Sequence, residues 1–463
     1  MDSSTIAAIA TPAGEGGIGV VRISGPEAAG IAYRVFRRNS KAITLNPKRS
    51  HRLYHGQIID PKSDALIDDV LLGWMAAPRT YTTEDTVELS CHGGPVPLRE
   101  TLRVVLEAGA RHAEPGEFTL RAFLNGRLDL TQAEAVLNVI GARTAESLRL
   151  AVSDLAGDLT KRLAPATTSL VGLLAYLDAS ADFPDDEIDT SDIDDGLEVA
   201  FDALSAVAAG SRAGMLYRDG ARVALVGRPN VGKSSLLNAL LRADRAIVTP
   251  IAGTTRDVIA ESINLNGIPV TIQDTAGITD TLDVVEQIGV ERSRQALKSS
   301  SVIVLVVDNS MEPTVQDLQV VRALAERPRE EQTPVVIALN KYDLPDHANQ
   351  SAIFELLDYH PAVPVSATTG EGLAELETAM TTALSGSLPS DVQPALITAR
   401  QQAAVDRALQ HIEDARTARA VGIPQDLLAT SVRAALHAVG EVTGEEVDEA
   451  VLTEIFSRFC IGK

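Results

Sequence analysis

Residues 223–241 run from an apolar segment, Val223 to Val226, through Gly227-Arg228-Pro229-Asn230-Val231-Gly232-Lys233-Ser234 into Ser235-Leu236-Leu237-Asn238-Ala239-Leu240-Leu241. That order of strand, glycine turn and helix start leaves few folds open. The glycines let backbone N–H groups turn toward an anion, the helix N-terminus adds the positive end of its dipole, Lys233 supplies a cation and Ser234 offers a hydroxyl to Mg²⁺. The expected fold around it is an α/β domain with a mostly parallel sheet, and the expected ligand is a nucleoside triphosphate held by Asn230, Val231, Gly232, Lys233, Ser234 and Ser235.

The base is specified further along. Asn340-Lys341-Tyr342-Asp343 closes the apolar run Val335 to Leu339. A carboxylate there accepts from both N1–H and the exocyclic amine of guanine, whereas adenine would leave it unpaired at a cost of ~1–3 kcal/mol or more. Ser366-Ala367-Thr368, after Val363 to Val365, fits a second loop on the guanine side. Asp274-Thr275-Ala276-Gly277 closes the strand Val270 to Gln273, placing Asp274 near Mg²⁺ and the Gly277 amide near the terminal phosphate. Between these and the phosphate loop, Thr249-Pro250-Ile251-Ala252-Gly253-Thr254-Thr255 fits a first switch whose Thr255 completes the Mg²⁺ shell beside Ser234. Together these strings predict a GTPase of Ras-like fold. Ile278 stands after Gly277, where many small GTPases carry a water-aligning glutamine, so the attacking water needs another residue.

At 463 residues the chain is long enough for two to four domains with their own cores. No apolar run of eighteen residues and no signal-peptide pattern at Met1-Asp2-Ser3-Ser4 point to a cytoplasmic protein with no membrane partner. Two cysteines, Cys91 and Cys460, exclude a disulfide framework and a cysteine zinc site. Cys91 reads as a buried structural thiol; His92 beside it suits either a turn or a pocket wall. The net charge of −22 argues against an electrostatically dominated grip on RNA, so an RNA contact must be local or supplied by a partner. The densest basic stretch, with Arg37, Arg38, Lys41, Lys48, Arg49 and Arg52, is either such a contact or a solvated surface. The acidic run Asp182 to Asp195 reads as a solvated loop in preference to a metal site.

Residues 1–120 are rich in alternating strands and glycine turns and predict an α+β domain. Residues 121–214 turn helical, with a capping box expected at Thr131/Glu134; residues 215–384 hold the GTPase motifs. In 385–463 helices return at Thr398 to Ala418, Asp426 to Val439 and Gly444 to Phe459, the last behind an expected Thr443/Glu446 box. Helices on both sides of a GTPase insert suggest one discontinuous helical domain.

The whole chain resembles the MnmE (TrmE) family of tRNA-modifying GTPases. The resemblance runs through Gly16-Gly17-Ile18-Gly19-Val20-Val21-Arg22-Ile23-Ser24-Gly25, Tyr81-Thr82-Thr83-Glu84-Asp85, Cys91-His92-Gly93-Gly94-Pro95, Arg121-Ala122-Phe123-Leu124-Asn125 and the terminal Phe459-Cys460-Ile461-Gly462-Lys463. It implies a homodimer that works with a flavin-containing MnmG-type partner, in a heterotetramer, to modify carbon 5 of the wobble uridine of tRNA. It also implies a folate-binding-like N-terminal domain taking formyl- or methylene-tetrahydrofolate. Arg22, Glu88, Arg127 and Lys463 are the implied folate contacts, with Arg127 where some relatives have lysine; from the residues alone, Arg22 and Glu88 are ordinary strand charges. Cys460 is a tail thiol, expected on an exposed tail. Glu286, by sequence a surface glutamate, is implied as the catalytic residue acting on the attacking water, and Thr279 replaces an arginine of many relatives. Potassium is implied against the phosphates, held by Asn230 and the carbonyls of Thr249, Ile251 and Thr254. The competing reading is a GTPase binding switch in ribosome assembly or translation; no GXXG loop of a KH module supports it.

Overall fold

Strand β2 (Gly16–Ser24) turns Val21 and Ile23 inward and Val20 and Arg22 outward, the period-two pattern of a sheet covered on one face. The computed structural model describes residues 4–182, 191–242, 261–274, 299–327, 333–345, 348–357, 360–386 and 393–463. They divide into two compact units, one made of Met1–Leu137, Leu155–Thr160 and Arg433–Lys463, the other of Asn138–Asp154 and Lys161–Val432.

In the first unit β2 belongs to an eight-stranded sheet with β1 (Ile6–Ile9), β3 (Phe36–Arg38), β4 (Lys41–Ala42), β5 (Arg52–Ile59), β6 (Leu66–Met75), β7 (Thr86–Gly93) and β8 (Arg111–His112), in the order β4-β3-β5-β6-β7-β2-β1-β8. Helices Ala28–Val35 and Pro95–Glu107 bury Ile31, Val35, Leu98 and Val105 against Val21, Leu72, Trp74 and Leu89 of its inner face. A smaller apolar cluster joins Leu130, Ala133 and Val136 to Ile455, Phe456 and Phe459 of helix Glu449–Ser457 and the turn that follows it.

Helix Leu130–Gly141 starts two residues before the box expected at Thr131/Glu134. Asp129 caps it: its carboxylate accepts from Gln132 N (2.8 Å) and the Gln132 side chain accepts from Asp129 N (3.0 Å). Thr131 is spent on the same carboxylate, donating at 2.6 Å. The Thr443/Glu446 box is likewise absent, because Thr443 is the last residue of helix Gln425–Thr443 and donates back to Gly440 O. In both places hydroxyl and carboxyl at the right spacing met a backbone in another phase.

The second unit holds helix Asp158–Asp182 from Lys161 on, and the long helices Ser191–Asp219 and Ala399–Ala420; the last two pack along each other and Arg416 lies 4.2 Å from the Phe201 ring. Ala399–Ala420 begins on a complete Thr398/Gln401 capping box. Asp192, Asp194 and Asp195 of the acidic run are helical, not looped, and Asp194 meets Arg419 at 3.4 Å. Ser191–Asp219 continues past Met215 to Asp219, so the sheet that follows starts at Ala221.

That sheet has the order β10-β11-β9-β12-β13-β14, with β9 (Ala221–Val226), β10 (Glu261–Leu265), β11 (Ile268–Asp274), β12 (Val302–Asp308), β13 (Val335–Asn340) and β14 (Ala362–Pro364). Only the β10/β11 pair is antiparallel. Every residue of β12 is buried, as a central parallel strand requires. Because β11, β9, β12, β13 and β14 are parallel, Asp274, Val226, Asp308, Asn340 and Pro364 end at one edge. Ligands of such sheets bind outside the carboxyl ends of the strands.

Candidate functional site

The phosphate loop leaves β9 at Val226 and turns into helix Lys233–Arg242. Asn230 (φ 66°) and Gly232 (φ 98°) take left-handed conformations that fold the loop into a ring of amides. Gly232 is obligatory on space as well, since a Cβ there would strike Nδ2 of Asn340. Lys233 is 5% exposed, and its ammonium crosses the ring to the carbonyls of Gly227 (2.8 Å) and Arg228 (2.9 Å). Ser234 and Ser235 are exposed in the first turn of that helix, at the positive end of its dipole.

Asn340 ties this loop to the base side. Buried at 2% exposure, it donates from Nδ2 to Val231 O (2.8 Å) and accepts at Oδ1 from Ala367 N (3.1 Å). Ser366, fully buried, donates to the Asp343 carboxylate at 2.7 Å and accepts from Thr369 N, which leaves the exposed Asp343 aimed and still able to accept. Tyr342 N bonds to Val365 O (3.1 Å), and Thr368 is exposed in the same loop.

Beneath these loops lies an ionic network that sequence reasoning missed. Lys341 reaches Asp308 at 2.6 Å; Arg228 reaches Asp317 at 2.9 Å and Asp308 at 3.8 Å. Asp317 also caps helix Val315–Ala325 through Thr314. Burial pushes the Asp308 carboxyl up, but hydrogen bonds from Lys341 and Ser310 outweigh it and hold the group below its ordinary value. The one signal in the sequence was an aspartate closing the otherwise apolar run Val302 to Val307.

Asp274 ends β11 in register with Leu225 of β9, at the phosphate-loop edge. Thr249, Pro250, Ile251, Ala252, Gly253, Thr254, Thr255, Thr275, Ala276, Gly277 and Glu286 lie outside the described residues.

In the first unit the register of β2 and β7 sets Arg22 opposite Glu88, and the two form an ion pair at 2.9 Å. The Arg22 guanidinium lies 5.6 Å from the Phe118 ring and 5.9 Å from that of Tyr81; Arg127 lies 5.0 Å from the Tyr81 ring and donates to Tyr81 O at 2.9 Å. The C-terminal tail is docked here and not free: Phe118 N donates to Lys463 O (3.1 Å) and Arg22 to Gly462 O (3.4 Å). Gly462 is buried at φ 98° against the Ile9 backbone, whereas Cys460 is exposed as expected. Arg22, Glu88, Arg127 and the Gly462-Lys463 backbone thus converge on one place, two cations and one carboxylate beside two rings. Under it, Arg121 joins Glu84 (3.0 Å) to Glu117 (2.9 Å), fixing the loop that carries Tyr81. Cys91 is buried and its thiol is pushed up to about 11 by that burial. His92 is exposed and meets Asp68 at 2.6 Å.

Among the described residues no group of three or more His, Cys, Asp or Glu is arranged to hold a metal ion, and no helix is long and apolar enough to cross a membrane.

A mostly parallel sheet whose carboxyl edge presents a lysine-braced glycine loop at a helix start, with a serine-held carboxylate beside it, is the arrangement of a P-loop GTPase. Residues 5–127 match the family described as "GTP-binding protein TrmE N-terminus" and residues 130–460 that described as "MnmE helical domain". The chain is 48% identical to the tRNA modification GTPase MnmE of Roseiflexus sp. (strain RS-1), covering 99% of each chain, and 48% identical to that of Chloroflexus aurantiacus, covering 100% of each. To the MnmE of Heliobacterium modesticaldum it is 46% identical, again over 100% of each. The chain belongs to the MnmE/TrmE family, and it is a GTP-hydrolysing enzyme that uses Mg²⁺.

Proposed function

We propose that the chain hydrolyses GTP to drive modification of carbon 5 of the wobble uridine in tRNA, as a cytoplasmic homodimer joined to a flavin-dependent MnmG-type partner. The observation that carries this reading is the second site: a plain GTPase switch has no use for a cluster in which Arg22, Glu88, Arg127 and the chain's own tail converge. A reduced folate suits it. The pterin offers a guanine-like donor face to Glu88, and its carbonyls and glutamyl carboxylates suit the two arginines and Lys463. Residues 1–120 are then the folate and dimer domain, 121–214 and 385–463 the two parts of a helical domain, and 215–384 the GTPase domain.

At the nucleotide, Lys233 and the loop amides take the phosphates, Asp343 reads guanine, and Glu286 orients the attacking water. The Ser234 hydroxyl, with Thr255 and with Asp274 of the neighbouring strand end, would supply hard-oxygen donors to Mg²⁺. The exposed, left-handed Asn230, with carbonyls of Thr249, Ile251 and Thr254, would hold K⁺. Either cation would supply positive charge to the phosphate oxygens, a service worth ~10³–10⁵ in rate when an arginine provides it.

Nucleoside mass spectrometry of tRNA tests the reading. A strain lacking the gene should lose its carbon-5-modified wobble uridine, regain it with the wild-type chain, and fail to regain it with Glu286→Ala. An unchanged nucleoside profile in the deletion strain would leave only the binding-switch alternative. Calorimetry with 5-formyl-tetrahydrofolate should show weakened binding in Arg22→Ala and Glu88→Ala with GTP binding intact; unchanged folate affinity would misplace the pocket.

A further inference from the structure

Between Arg34 and Lys62 the chain carries eight lysines and arginines and one acidic residue, Asp60, although its overall charge is −22. From Arg37 to Arg52 the six cations are Arg37, Arg38, Lys41, Lys48, Arg49 and Arg52, and none makes an ion pair among the described residues. In a molecule with so large an excess of carboxylates, six neighbouring cations without one require an explanation.

The backbone presents them on a fixed frame. β3 and β4 form the sheet's edge, joined by a two-residue turn in which Asn39 (φ 50°) and Ser40 (φ 59°) are both left-handed. Arg37 wraps the end of helix Ala28–Val35, donating to the carbonyls of Tyr33 and Arg34, and Arg38 lies 5.5 Å from the Tyr54 ring. Asn46 accepts from Lys48 N at 2.9 Å and its carbonyl takes the indole N–H of the buried Trp74, pinning the short helix Pro47–Arg49. Arg38, Lys41, Lys48, Arg49 and Arg52 are exposed. From the β3 contact at Ile58 back to Arg52 the strand runs ~20 Å, several phosphates' worth of backbone.

A hollow of about 450 Å³ opens beside the hairpin, lined by Tyr33, Arg34, Arg37, Lys62 and Glu107 among others, with Tyr33 half exposed. Its acids are neutralised: Glu107 is held by Lys62 (2.8 Å) and Arg103 (3.0 Å), and Asp60 by Arg103 (3.1 Å). A lysine or two suffices to protect a sheet edge from pairing with another strand. Six cations without an ion pair, spread over three strands and a helical turn, exceed that need.

We propose that this edge, from Arg37 to Arg52 with the hollow at Tyr33, is a docking surface for the phosphodiester backbone of RNA, namely the tRNA of the function proposed above, on which this inference rests. A row of cations carried on an ordered backbone gathers the phosphates of a polyanion, and the exposed Tyr33 offers a ring face to an unstacked base. The acidity of the remaining surface then restricts the RNA to this edge.

The test uses the full chain and a fluorescein-labelled, unmodified tRNA transcript, with binding followed by anisotropy between 50 and 200 mM KCl. Each lost phosphate contact lowers the slope of log K against log salt by about 0.7–0.9, so Lys41→Ala/Lys48→Ala/Arg49→Ala should lower it by about 2–3 and weaken binding roughly 100-fold at 0.1 M salt. These side chains are exposed, so the melting midpoint should stay within about 2 °C of wild type. Lys41→Arg/Lys48→Arg/Arg49→Lys, which keeps the charges, should bind as wild type does. A triple alanine variant with the wild-type slope, or a wild-type chain that does not bind the transcript, overturns the proposal. So does a triple variant that keeps RNA binding but no longer co-elutes with the flavoprotein partner, which would make this edge a protein-docking face. The nucleoside profile of the deletion strain tests the underlying function separately, because it is read without reference to salt or to these residues.

Discussion

Asn340→Ala should disable nucleotide binding from a position that need not touch the nucleotide. The side chain is 2% exposed and bridges two loops, through Val231 O at 2.8 Å and Ala367 N at 3.1 Å. Truncation leaves a buried carbonyl and a buried amide without partners, each costing ~1–3 kcal/mol, and a water entering the vacated volume recovers part of that. Part of the remainder appears as lost stability and part as lost affinity, because guanine and phosphates are gripped together only when both loops are in register. An affinity loss of about 2–3 kcal/mol corresponds to roughly 30- to 150-fold in Kd for GDP. Calorimetric titration of GDP at fixed Mg²⁺ measures it, with a circular-dichroism melt to establish that the variant is folded. Asn340→Asp keeps the acceptor for Ala367 but turns an anion toward the Val231 carbonyl, so it should lose at least as much. A folded Asn340→Ala chain binding GDP within threefold of wild type would refute the bridging role.

Ser366→Ala removes the charged hydrogen bond that aims Asp343, worth ~1.5–3 kcal/mol, and should shrink the preference for GTP over ITP about tenfold in competition binding; an unchanged ratio refutes it. Asp308 titrates in the fold below its ordinary value of 3.8, so it contributes stability in full above that value and loses it as pH falls through the lower folded one. Asp308→Asn should therefore flatten the acid limb of an unfolding titration below about pH 4, and an unaltered limb would deny the Lys341 and Ser310 contacts that role. Cys91, buried and pushed up to about 11, holds roughly one thiolate in ten thousand at pH 7, so iodoacetamide should label the native chain once, at Cys460, and twice in denaturant. Native labelling at Cys91 would contradict its burial.

The phosphate loop and the guanine loops were legible because their residues are contiguous and each string ends an apolar run, so local order alone places them on one sheet edge. The Arg228, Asp308, Asp317 and Lys341 network was not: its partners lie 33 to 89 positions apart and meet only once the parallel register is set. The capping boxes failed for a local reason, since Asp129 and Gln132 outcompete Thr131 and Glu134 one half-turn away. Helical periodicity predicted the helices after Thr398, and their place beyond the GTPase insert assigned them to one discontinuous helical domain; Ala399–Ala420 packs along Ser191–Asp219 accordingly. Leu130 and Phe456 share a cluster with the N-terminal unit's Leu120 and Phe123, a partnership invisible to any window of sequence. The resemblance placed Lys463 near Arg22, but no window of sequence shows how the tail is held: Gly462 fits against the Ile9 backbone for lack of a side chain.

Arg22 and Gly462 stand 440 positions apart, and their contact sets a clock on biosynthesis. At roughly 5–20 residues per second, a ribosome that has finished β2 needs about 20–90 s to deliver the segment that closes over it. Through that interval the nascent first unit lacks helix Glu449–Ser457, so Leu130, Ala133 and Val136 have no Phe456 to pack against. The whole second unit is made in between and has time to fold first. Completion of this site is consequently a late event, because it joins the two ends of the chain.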